Sequence, residues 1–403
     1  MRILIQGINF SPELTGIGKY TGEMAQWLAG HGHQVRVVTA PPYYPQWQVQ
    51  DGYSAWRYRK QSLHNLTVWR CPVWVPARPR GLTRILHLAS FALSALPVMV
   101  RQIVWKPDVV MTVAPPLFCA PAAWLTARLS GARAMLHIQD FEVDAAFSLG
   151  LLRSGLFKRL ALGFERLMLR RFDQVSTISE AMRARLHAKG LDPARCRVLP
   201  NWVDCEVIHP LAEQSPLRAG LRIEQAAIIV LYSGNLGEKQ GLETVIAAAA
   251  VLERQREFMF VFCGEGSARL RLQQQTRHMS NIRWLPLQPH DDLNGLLNLA
   301  TIHVLPQRAG AADLVMPSKL TAMLASGRPV IATVAANTEV ATLLQGCGEC
   351  VAPGDARALA DMIIHLAGQP ALRAAMGQQA RQRAVAMFDK STVLTDLERL
   401  LAE

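Results

Sequence analysis

RILIQGINFSPELTGIGKYTGEMAQWL, residues 2–28, joins an apolar strand pattern to a glycine-containing loop and a helix. The apolar residues of 20–28 recur with the period of a helix, so the loop that carries Gly16 and Gly18 ends at a helix N-terminus. Glycines let a ligand approach the backbone, and the unpaired N–H groups and dipole of a helix start favour an anion. The stretch therefore predicts a βα unit that binds a phosphate, or one in which the glycines only allow helix and strand to pack.

A dinucleotide is the less favoured ligand for this loop. The dinucleotide-binding fingerprint needs a third glycine three residues after Gly18, where this chain has Thr21. It also needs an acidic residue at the end of the second strand to hold a ribose. That strand pattern, 34–40, runs into Pro41 and Pro42 without a carboxylate. The sequence therefore does not predict an NAD site.

Length and charge limit the class of protein. A chain of 403 residues with half of its residues apolar is expected to form two domains. The formal net charge of +12 indicates an acidic partner such as nucleic acid, anionic lipid or a phosphorylated substrate. The sequence contains no recognised zinc-finger, RNP or aromatic-interleaved basic motif, so nucleic acid is not the predicted partner.

The seven cysteines are odd in number and scattered, which is unlike a disulfide framework. Cys347 and Cys350 form a CxxC pair, but no second pair or histidine cluster completes a zinc site. The N-terminus lacks the ordered charged, apolar and cleavage segments of a secretion signal. We predict a cytoplasmic protein with no metal site and no cofactor.

Strand and helix patterns alternate in both halves of the chain. Strands are predicted at 2–8, 34–40, 108–113, 134–139, 227–233, 258–263, 301–306 and 328–334, and helices at 19–30, 84–104, 119–130 and 156–171, with Ser179 capping a further helix. Repeated βα units imply one parallel sheet per half, covered on both faces. We predict an α/β protein with an N-terminal domain (1–205), a C-terminal domain (206–385) and a C-terminal helix (386–403), with ligands at the carboxyl ends of the strands.

The second half contains three further turns of interest. Gly234 follows a strand pattern, and Gly264 and Gly266 flank Glu265 after the next. In a third turn, Ser318 and Lys319 follow Pro317 at a predicted helix start. The Ser318 side chain is first of all a predicted helix cap. A helix dipole disfavours a cation at the position of Lys319 unless an anion lies between them, so a diphosphate is predicted there.

Two segments combine basic residues with an apolar pattern, at 84–101 and 151–171. The first is too short to span a bilayer comfortably but could lie in its interface. We predict either core-packed helices with solvated basic faces or a surface that attaches to an anionic membrane.

The ordered set of motifs at 32–45, 200–204, 233–246, 264–270 and 317–332 resembles the retaining glycosyltransferases of family 4 over essentially the whole chain. The resemblance implies the GT-B fold, in which two Rossmann-like, doubly wound domains face each other across a cleft. The opening segment is particularly similar to fucosyltransferase-type enzymes of colanic acid biosynthesis. This implies a nucleoside-diphosphate sugar donor such as GDP-fucose, a polyprenyl-diphosphate-linked saccharide as acceptor, and attachment to the inner face of the plasma membrane.

Residue roles follow from the resemblance and from the turns described above. Asp140, Lys239 and Lys319 are the predicted catalytic residues. Predicted donor-binding residues are Gly16, Gly18, Gly234, Asn235, Gln240, Gly264, Glu265, Leu287, Asp313, Pro317 and Ser318. With no D-x-D motif in a plausible loop, lysines, backbone N–H groups and helix dipoles would stabilise the leaving diphosphate.

The chain also departs from the family pattern. Asn235 and Gln240 stand where an arginine and a lysine are usual, and Leu314 and Ala322 replace a pair of glutamates. Gln139 stands where a histidine usually precedes the aspartate. Two alternatives therefore remain open: a sugar-nucleotide epimerase or phosphorylase of the same fold, and a nucleotide-sugar-binding subunit without catalysis.

Overall fold

The computed structural model describes residues 1–77, 81–142, 144, 155–221, 223–308 and 316–403. The chain divides into two compact units. Unit 1 comprises Met1–Pro200 and Leu394–Glu403, and unit 2 comprises Asn201–Val393. Each unit contains a sheet with helices packed on it, and the last helix of the chain begins in unit 2 and ends in unit 1.

The described part of unit 1 contains an eight-stranded sheet in the order β3-β4-β2-β1-β5-β6-β7-β8. Its strands are β1 (Arg2–Gln6), β2 (Gln34–Thr39), β3 (Arg59–Leu63), β4 (Leu66–Arg70), β5 (Val109–Ala114), β6 (Arg133–Ile138), β7 (Gln174–Thr177) and β8 (Cys196–Val198). Only β3 pairs in the antiparallel sense. In the centre, Ile3 is opposite both Val35 and Val109, so β1 is buried between two apolar neighbours.

The helices of unit 1 are α1 (Gly16–Gly30), α2 (Leu82–Trp105), α3 (Ala120–Ser130), α4 (Gly155–Arg171) and α5 (Glu180–Ala188). α2 packs on α3 and on β2 through its buried face. The prediction that Ser179 caps a helix is confirmed, because its side chain accepts a hydrogen bond from the Met182 backbone N–H at 3.2 Å.

The described part of unit 2 contains a six-stranded, fully parallel sheet in the order β11-β10-β9-β12-β13-β14. Its strands are β9 (Ile228–Ser233), β10 (Phe258–Cys263), β11 (Ile282–Leu285), β12 (Ile302–Pro306), β13 (Val330–Thr333) and β14 (Gly348–Val351). Its helices are α6 (Leu217–Gly220), α7 (Leu242–Val251), α8 (Arg269–Gln275), α9 (Leu293–Leu299), α10 (Lys319–Ala325), α11 (Glu339–Leu344), α12 (Ala356–Ala367) and α13 (Pro370–Phe388), followed by α14 (Lys390–Ala402). The predicted α/β class with two Rossmann-like, doubly wound parallel sheets is confirmed.

Candidate functional site

The candidate site of unit 2 lies where the order of the strands changes direction. β9 pairs with β10 on one side and with β12 on the other. The chain therefore adds β10 and β11 on one side of β9 and then returns to add β12, β13 and β14 on the other side. In open α/β sheets this change leaves a crevice for ligands at the carboxyl ends of the strands. Gly234 follows β9, Gly264 follows β10, and Lys319 opens α10 after β12. The fold therefore brings these three predicted residues to one edge of the sheet.

Two glycine turns cross each other at this edge. Gly264 has a φ of +141°, and a Cβ at this residue would overlap the carbonyl oxygen of Gly234. The turns are also joined by a 2.8 Å hydrogen bond from the Leu236 N–H to the Glu265 carbonyl. Only glycine fits such a close backbone crossing. Gly264 is itself buried, and its carbonyl accepts a hydrogen bond from Arg269 Nη1 at 3.0 Å, so the crossing is a closely packed backbone support at this edge of the sheet.

Lys319 is held over this crossing by side chains of two other segments. Its Nζ donates to the Tyr232 hydroxyl at 2.8 Å and to the Gln240 Oε1 at 3.1 Å. The Tyr232 hydroxyl in turn donates to the Asn235 carbonyl at 2.6 Å. A Cβ placed on Gly234 would lie only 3.6 Å from the Lys319 Nζ. The ammonium group is therefore fixed directly beside the turn that follows β9.

Lys319 is half-buried as a residue, and burial of its ammonium group lowers the pKa from the usual value near 10.5 to about 7. Both of its described acceptors are uncharged oxygens, so no carboxylate compensates the charge. Burial without a counter-ion disfavours the charged form. An anion bound next to Nζ would reverse this effect and favour the ammonium.

We expect the affinity for a nucleoside-diphosphate sugar to fall as pH rises from about 6 to 8.5. Below pH 7 Lys319 is already charged in the free protein, whereas above it binding must include uptake of a proton. Affinity then falls by up to about tenfold per pH unit until the raised pKa of the complex is reached. Calorimetric titration with GDP-fucose and UDP-glucose tests this, since neither diphosphate diester titrates in the range. The Lys319→Met variant should give a flat profile; a flat profile in the native protein would contradict the expectation.

Gln240 has a clear structural task in this arrangement. Its side-chain oxygen is one of the two described acceptors of the Lys319 ammonium. The turn that carries it is held by an exposed charge network, in which Arg271 donates to Glu238 at 2.6 Å and to Glu243 at 2.9 Å. Glu243 also pairs with Arg308 at 3.3 Å. Where the family usually has a lysine, the neutral Gln240 thus accepts a hydrogen bond that positions the Lys319 ammonium and does not add a second positive charge.

The prediction that the Ser318 side chain caps α10 is wrong. Ser318 occupies the N-cap position, but its backbone is already helical, with φ −58° and ψ −23°, and its side chain makes no capping hydrogen bond. A capping serine needs extended backbone to turn its oxygen toward the helix. Ser318 is instead an exposed residue next to Lys319 at the start of α10.

The remaining predicted donor residues of unit 2 differ in how well they are placed. Pro317 is half-buried and its carbonyl accepts the Leu320 N–H at 3.0 Å. Leu287 follows β11 and is 49% exposed, at the carboxyl edge of the same sheet. The side chain of Lys239 and the whole of Asp313 lie outside the described residues.

In unit 1 the glycine loop is shaped by a buried acid. A Cβ on Gly18 would overlap the Glu13 carboxylate, which accepts hydrogen bonds from the N–H groups of Tyr43 at 3.0 Å and Tyr44 at 2.9 Å. Burial raises the pKa of Glu13. Gly18 therefore makes room for Glu13, while Gly16 has a φ of +64° and takes the left-handed conformation that begins α1.

Asp140 lines a small cavity at the carboxyl end of β6 together with the half-buried Glu142 and the buried Glu165. Glu142 accepts the Leu117 N–H at 3.0 Å, and Glu165 accepts from the Lys189 ammonium at 2.6 Å. Burial raises the pKa of both glutamates, and Asp140 adds to this for Glu142. Neither glutamate was predictable from the sequence, because both stand in helical segments where acidic residues are usually surface residues.

His137 is buried in β6 and neutral. Burial lowers its pKa to about 4, its Nδ1 lies 2.9 Å from the Ser176 hydroxyl, and its Nε2 lies 2.8 Å from the Gln139 amide nitrogen. Because the amide nitrogen can only donate, Nε2 accepts and Nδ1 carries the proton. Gln139, which stands where the family usually has a histidine, therefore donates a hydrogen bond that orients the His137 ring.

The described residues contain no group of three or more His, Cys, Asp or Glu side chains that could hold a metal ion. All seven cysteines are free thiols, and burial raises the pKa of both members of the CxxC pair.

Comparison with known families matches both halves of the chain. A family described as "Glycosyl transferase 4-like domain" matches residues 15–202, and one described as "Glycosyl transferases group 1" matches residues 213–383. The chain is 46% identical to WcaI of Escherichia coli (strain K12), named as a colanic acid biosynthesis glycosyl transferase, over 98% of each chain.

Solved structures show the same fold at low identity. Sucrose-phosphate synthase from Thermosynechococcus elongatus superposes with a TM-score of 0.77 at 18% identity, over 99% of this chain and 98% of that one. HepE from Anabaena, solved in complex with UDP-glucose, superposes with a TM-score of 0.72 at 15% identity, over 100% of this chain and 99% of that one. The predicted GT-B class is therefore confirmed at the level of fold.

Proposed function

Because the chain belongs to the glycosyltransferases that combine a 4-like domain with a group 1 domain, we propose that it moves a sugar from a nucleoside-diphosphate sugar to a lipid-linked saccharide. We assign the transfer to exopolysaccharide biosynthesis of the colanic acid type, with GDP-fucose as the first donor to test. The similarity to WcaI supports the pathway, and the basic and apolar surface of unit 1 described below supports the lipid-linked acceptor.

The observation that carries the proposal is the position of the Lys319 ammonium. It lies at the switch point of the unit 2 sheet, beside two crossed glycine turns, and both of its acceptors among the described residues are uncharged. Cleaving a sugar–diphosphate bond builds negative charge on the leaving β-phosphate. A cation that its neighbours hold in place stabilises that charge without rearranging, which is why we place the diphosphate of the donor here.

The same groups would allow transfer without a divalent metal. Lys319 supplies one positive charge, and the start of α10 contributes its N–H groups and dipole. We further propose retention of the anomeric configuration, with the acceptor hydroxyl attacking on the face that the diphosphate leaves. In unit 1, Asp140 is the proposed group that orients this hydroxyl. Its neighbours Glu142 and Glu165 have pKa values raised by burial, which favours their uncharged forms and leaves Asp140 as the proposed acceptor of the hydrogen bond.

Incubating the protein with radiolabelled GDP-fucose or UDP-glucose and a membrane extract tests the function, with and without EDTA. Transfer of label into the lipid fraction in the presence of EDTA is the expected result. Release of free sugar without transfer would indicate a glycosyltransferase whose acceptor is missing from the extract. A changed sugar with no transfer would indicate an epimerase, and donor binding without turnover would indicate a binding subunit.

The surface that would meet the membrane is an exposed apolar stripe on α2. Its members recur at helical spacing on one side of the helix, at 42–85% exposure: Leu82, Leu86, Leu93, Leu96, Val100 and Val104. The opposite side of α2 is buried in unit 1. Within the described ranges, α2 is also the one helix with the length and composition to cross a membrane. A helix with one buried and one exposed apolar side is suited to lie in the interface instead.

Basic side chains accompany this stripe on the neighbouring elements. α3 packs on both α2 and α4, and the α4 residues Lys158, Arg159 and Arg166 are exposed. Leu160 and Leu167 of α4 are exposed as well, at 60% and 47%. We therefore propose that α2 and α4 dock on anionic lipid, with the apolar residues in the interface and the basic residues at the headgroups.

We expect sedimentation with phosphatidylglycerol vesicles at low salt and its loss at high salt. Each basic residue near anionic lipid contributes roughly 1 kcal/mol, so changing Lys158 and Arg159 to Gln weakens binding by about 30-fold. Screening shortens the range of this attraction to about 3 Å at 1 M salt. The Leu93→Asp variant should also lose binding, whereas Leu270→Asp, at an exposed leucine of unit 2, should not. Equal binding of all four proteins would contradict this docking surface.

A further inference from the structure

A cavity of about 380 Å³ lies in unit 2 at the opposite edge of the sheet from Lys319. It is bordered by the segments that lead into the amino ends of three strands: Ile228 begins β9, Thr301 precedes β12, and Pro329 precedes β13. The strands between the two edges have four to six residues, which is about 13–20 Å of extended chain. The cavity is therefore separate from the candidate donor site.

Three arginines line this cavity, which we call the arginine cavity: Arg218, Arg328 and Arg373. The described lining residues include no acidic side chain. Nor does any of the three arginines form an ion pair within 4.0 Å among the described residues. Three guanidinium groups thus share one cavity without a described protein counter-charge.

Backbone contacts fix two of the guanidinium groups in place. Arg218 donates to the carbonyls of Glu224, Gln225 and Ala227, at 2.6–2.8 Å from its Nη2. The Nη1 of Arg373 donates to Ala367 at 2.6 Å and to Leu366, at the carboxyl end of α12. Neutral carbonyls orient these groups but leave their net charge uncompensated. Burial lowers the pKa of both side chains.

Arg328 has hydrogen-bonding capacity that the described residues do not use. Its Nε is buried and has no hydrogen-bond partner, and its Nη2 lies a long 3.5 Å from the Asn298 Oδ1. A buried N–H that lacks an acceptor is destabilising, and more so when the group is charged. An anion in the cavity would satisfy this donor and the shared positive charge together.

We propose that the arginine cavity binds a small phosphorylated metabolite, as a second anion site of this protein. A phosphate dianion matches several convergent guanidinium groups better than a single carboxylate, because it has more acceptor oxygens and a higher charge. The volume fits a ligand of the size of a hexose phosphate. The first turn of α13, where Pro370 and Arg373 border the cavity, has no acidic residue and adds a favourable dipole.

Calorimetric titration with glucose 6-phosphate tests the proposal, with glucose as the uncharged control. The native protein and Lys319→Met should bind glucose 6-phosphate equally, and glucose should not bind. Changing Arg328 to Gln should weaken binding by about tenfold or more, the effect of losing a charge-assisted hydrogen bond. Arg357→Gln removes a 74% exposed charge elsewhere in unit 2 and should have no effect.

A second measurement needs no variant at the cavity. Phenylglyoxal labelling of the native protein, followed by mass spectrometry, should show that glucose 6-phosphate protects Arg328 and Arg373 but not Arg357. The proposal is overturned if the native protein does not bind, if protection extends equally to Arg357, or if Lys319→Met abolishes binding. The last result would assign the anion to the donor site, while failure at the arginine cavity leaves the proposed transfer reaction untouched.

Discussion

Changing Lys319 to Met is expected to lower kcat/KM for sugar transfer by about 10²–10³-fold, the usual effect of removing one fixed donor to developing negative charge. The fold should survive, because methionine has a similar length and burial already penalises the charge of the lysine. The Tyr232 hydroxyl keeps its acceptor, the Asn235 carbonyl. The measurement is initial-rate kinetics with GDP-fucose and a lipid-linked acceptor.

The matched control is Lys390→Met, which makes the same substitution in unit 2 at a side chain paired with Asp204 at 3.4 Å. This variant should transfer at the native rate. A Lys319→Met variant with native kinetics and a native circular dichroism spectrum would remove the ammonium from the mechanism. The diphosphate would then have to be stabilised by main-chain groups or by the side chain of Lys239.

The sequence was informative about Lys319 because the clue was local. A lysine at a helix start conflicts with the helix dipole, and this conflict is visible without any structure. Its partners Tyr232 and Gln240 were not predictable as such, since they are separated from it by 87 and 79 residues. In the sequence, Tyr232 is indistinguishable from an ordinary apolar strand residue. Its contact with Lys319 depends on the pairing of β9 with β12, which brings the end of β9 close to the segment that leads into α10.

For Gly18, in contrast, the structure gives a packing reason for the glycine that the sequence did not indicate. The sequence places it in a loop suited to phosphate, but the three-dimensional contact that demands glycine is the buried Glu13 carboxylate. The two positions are only five apart in the chain, yet nothing in the sequence indicates that the Glu13 side chain is buried. A carboxylate can be buried where N–H groups donate hydrogen bonds to it, and here the donors are the backbone N–H groups of Tyr43 and Tyr44.

The strand patterns predicted the central strands well and the edges poorly. β1, β9 and β10 are largely buried and contain apolar runs, and β2 keeps Val35, Val37 and Val38 buried. β3 was missed because it is an exposed edge strand of sequence RKQSL, and its hairpin with β4 turns at His64 in the left-handed conformation instead of at a glycine. β8, β11 and β14 have only three or four residues, too few for a period to be visible.

Replacing Gly264 by Ala is expected to destabilise the protein by about 2–4 kcal/mol, from strained backbone and overpacking together. The residue has a φ of +141°, and the new Cβ would overlap the Gly234 carbonyl oxygen, which belongs to rigid backbone and not to a movable side chain. Relief requires the two turns to separate, which would also move Gly234 away from Lys319. Urea unfolding measures the first effect, and titration with GDP-fucose measures the second.

Gly295→Ala is the matched control, since it adds the same methyl group in unit 2. Gly295 lies inside α9, and its added Cβ would approach no atom beyond its own helix closer than 3.8 Å. Alanine inside a helix is favoured over glycine by about 0.5–1 kcal/mol, so this variant should be as stable as the native protein or slightly more so. If Gly264→Ala and Gly295→Ala unfold at the same urea concentration and bind GDP-fucose equally, the two glycine turns do not cross as closely as described. The diphosphate site would then have to be built from α10 alone.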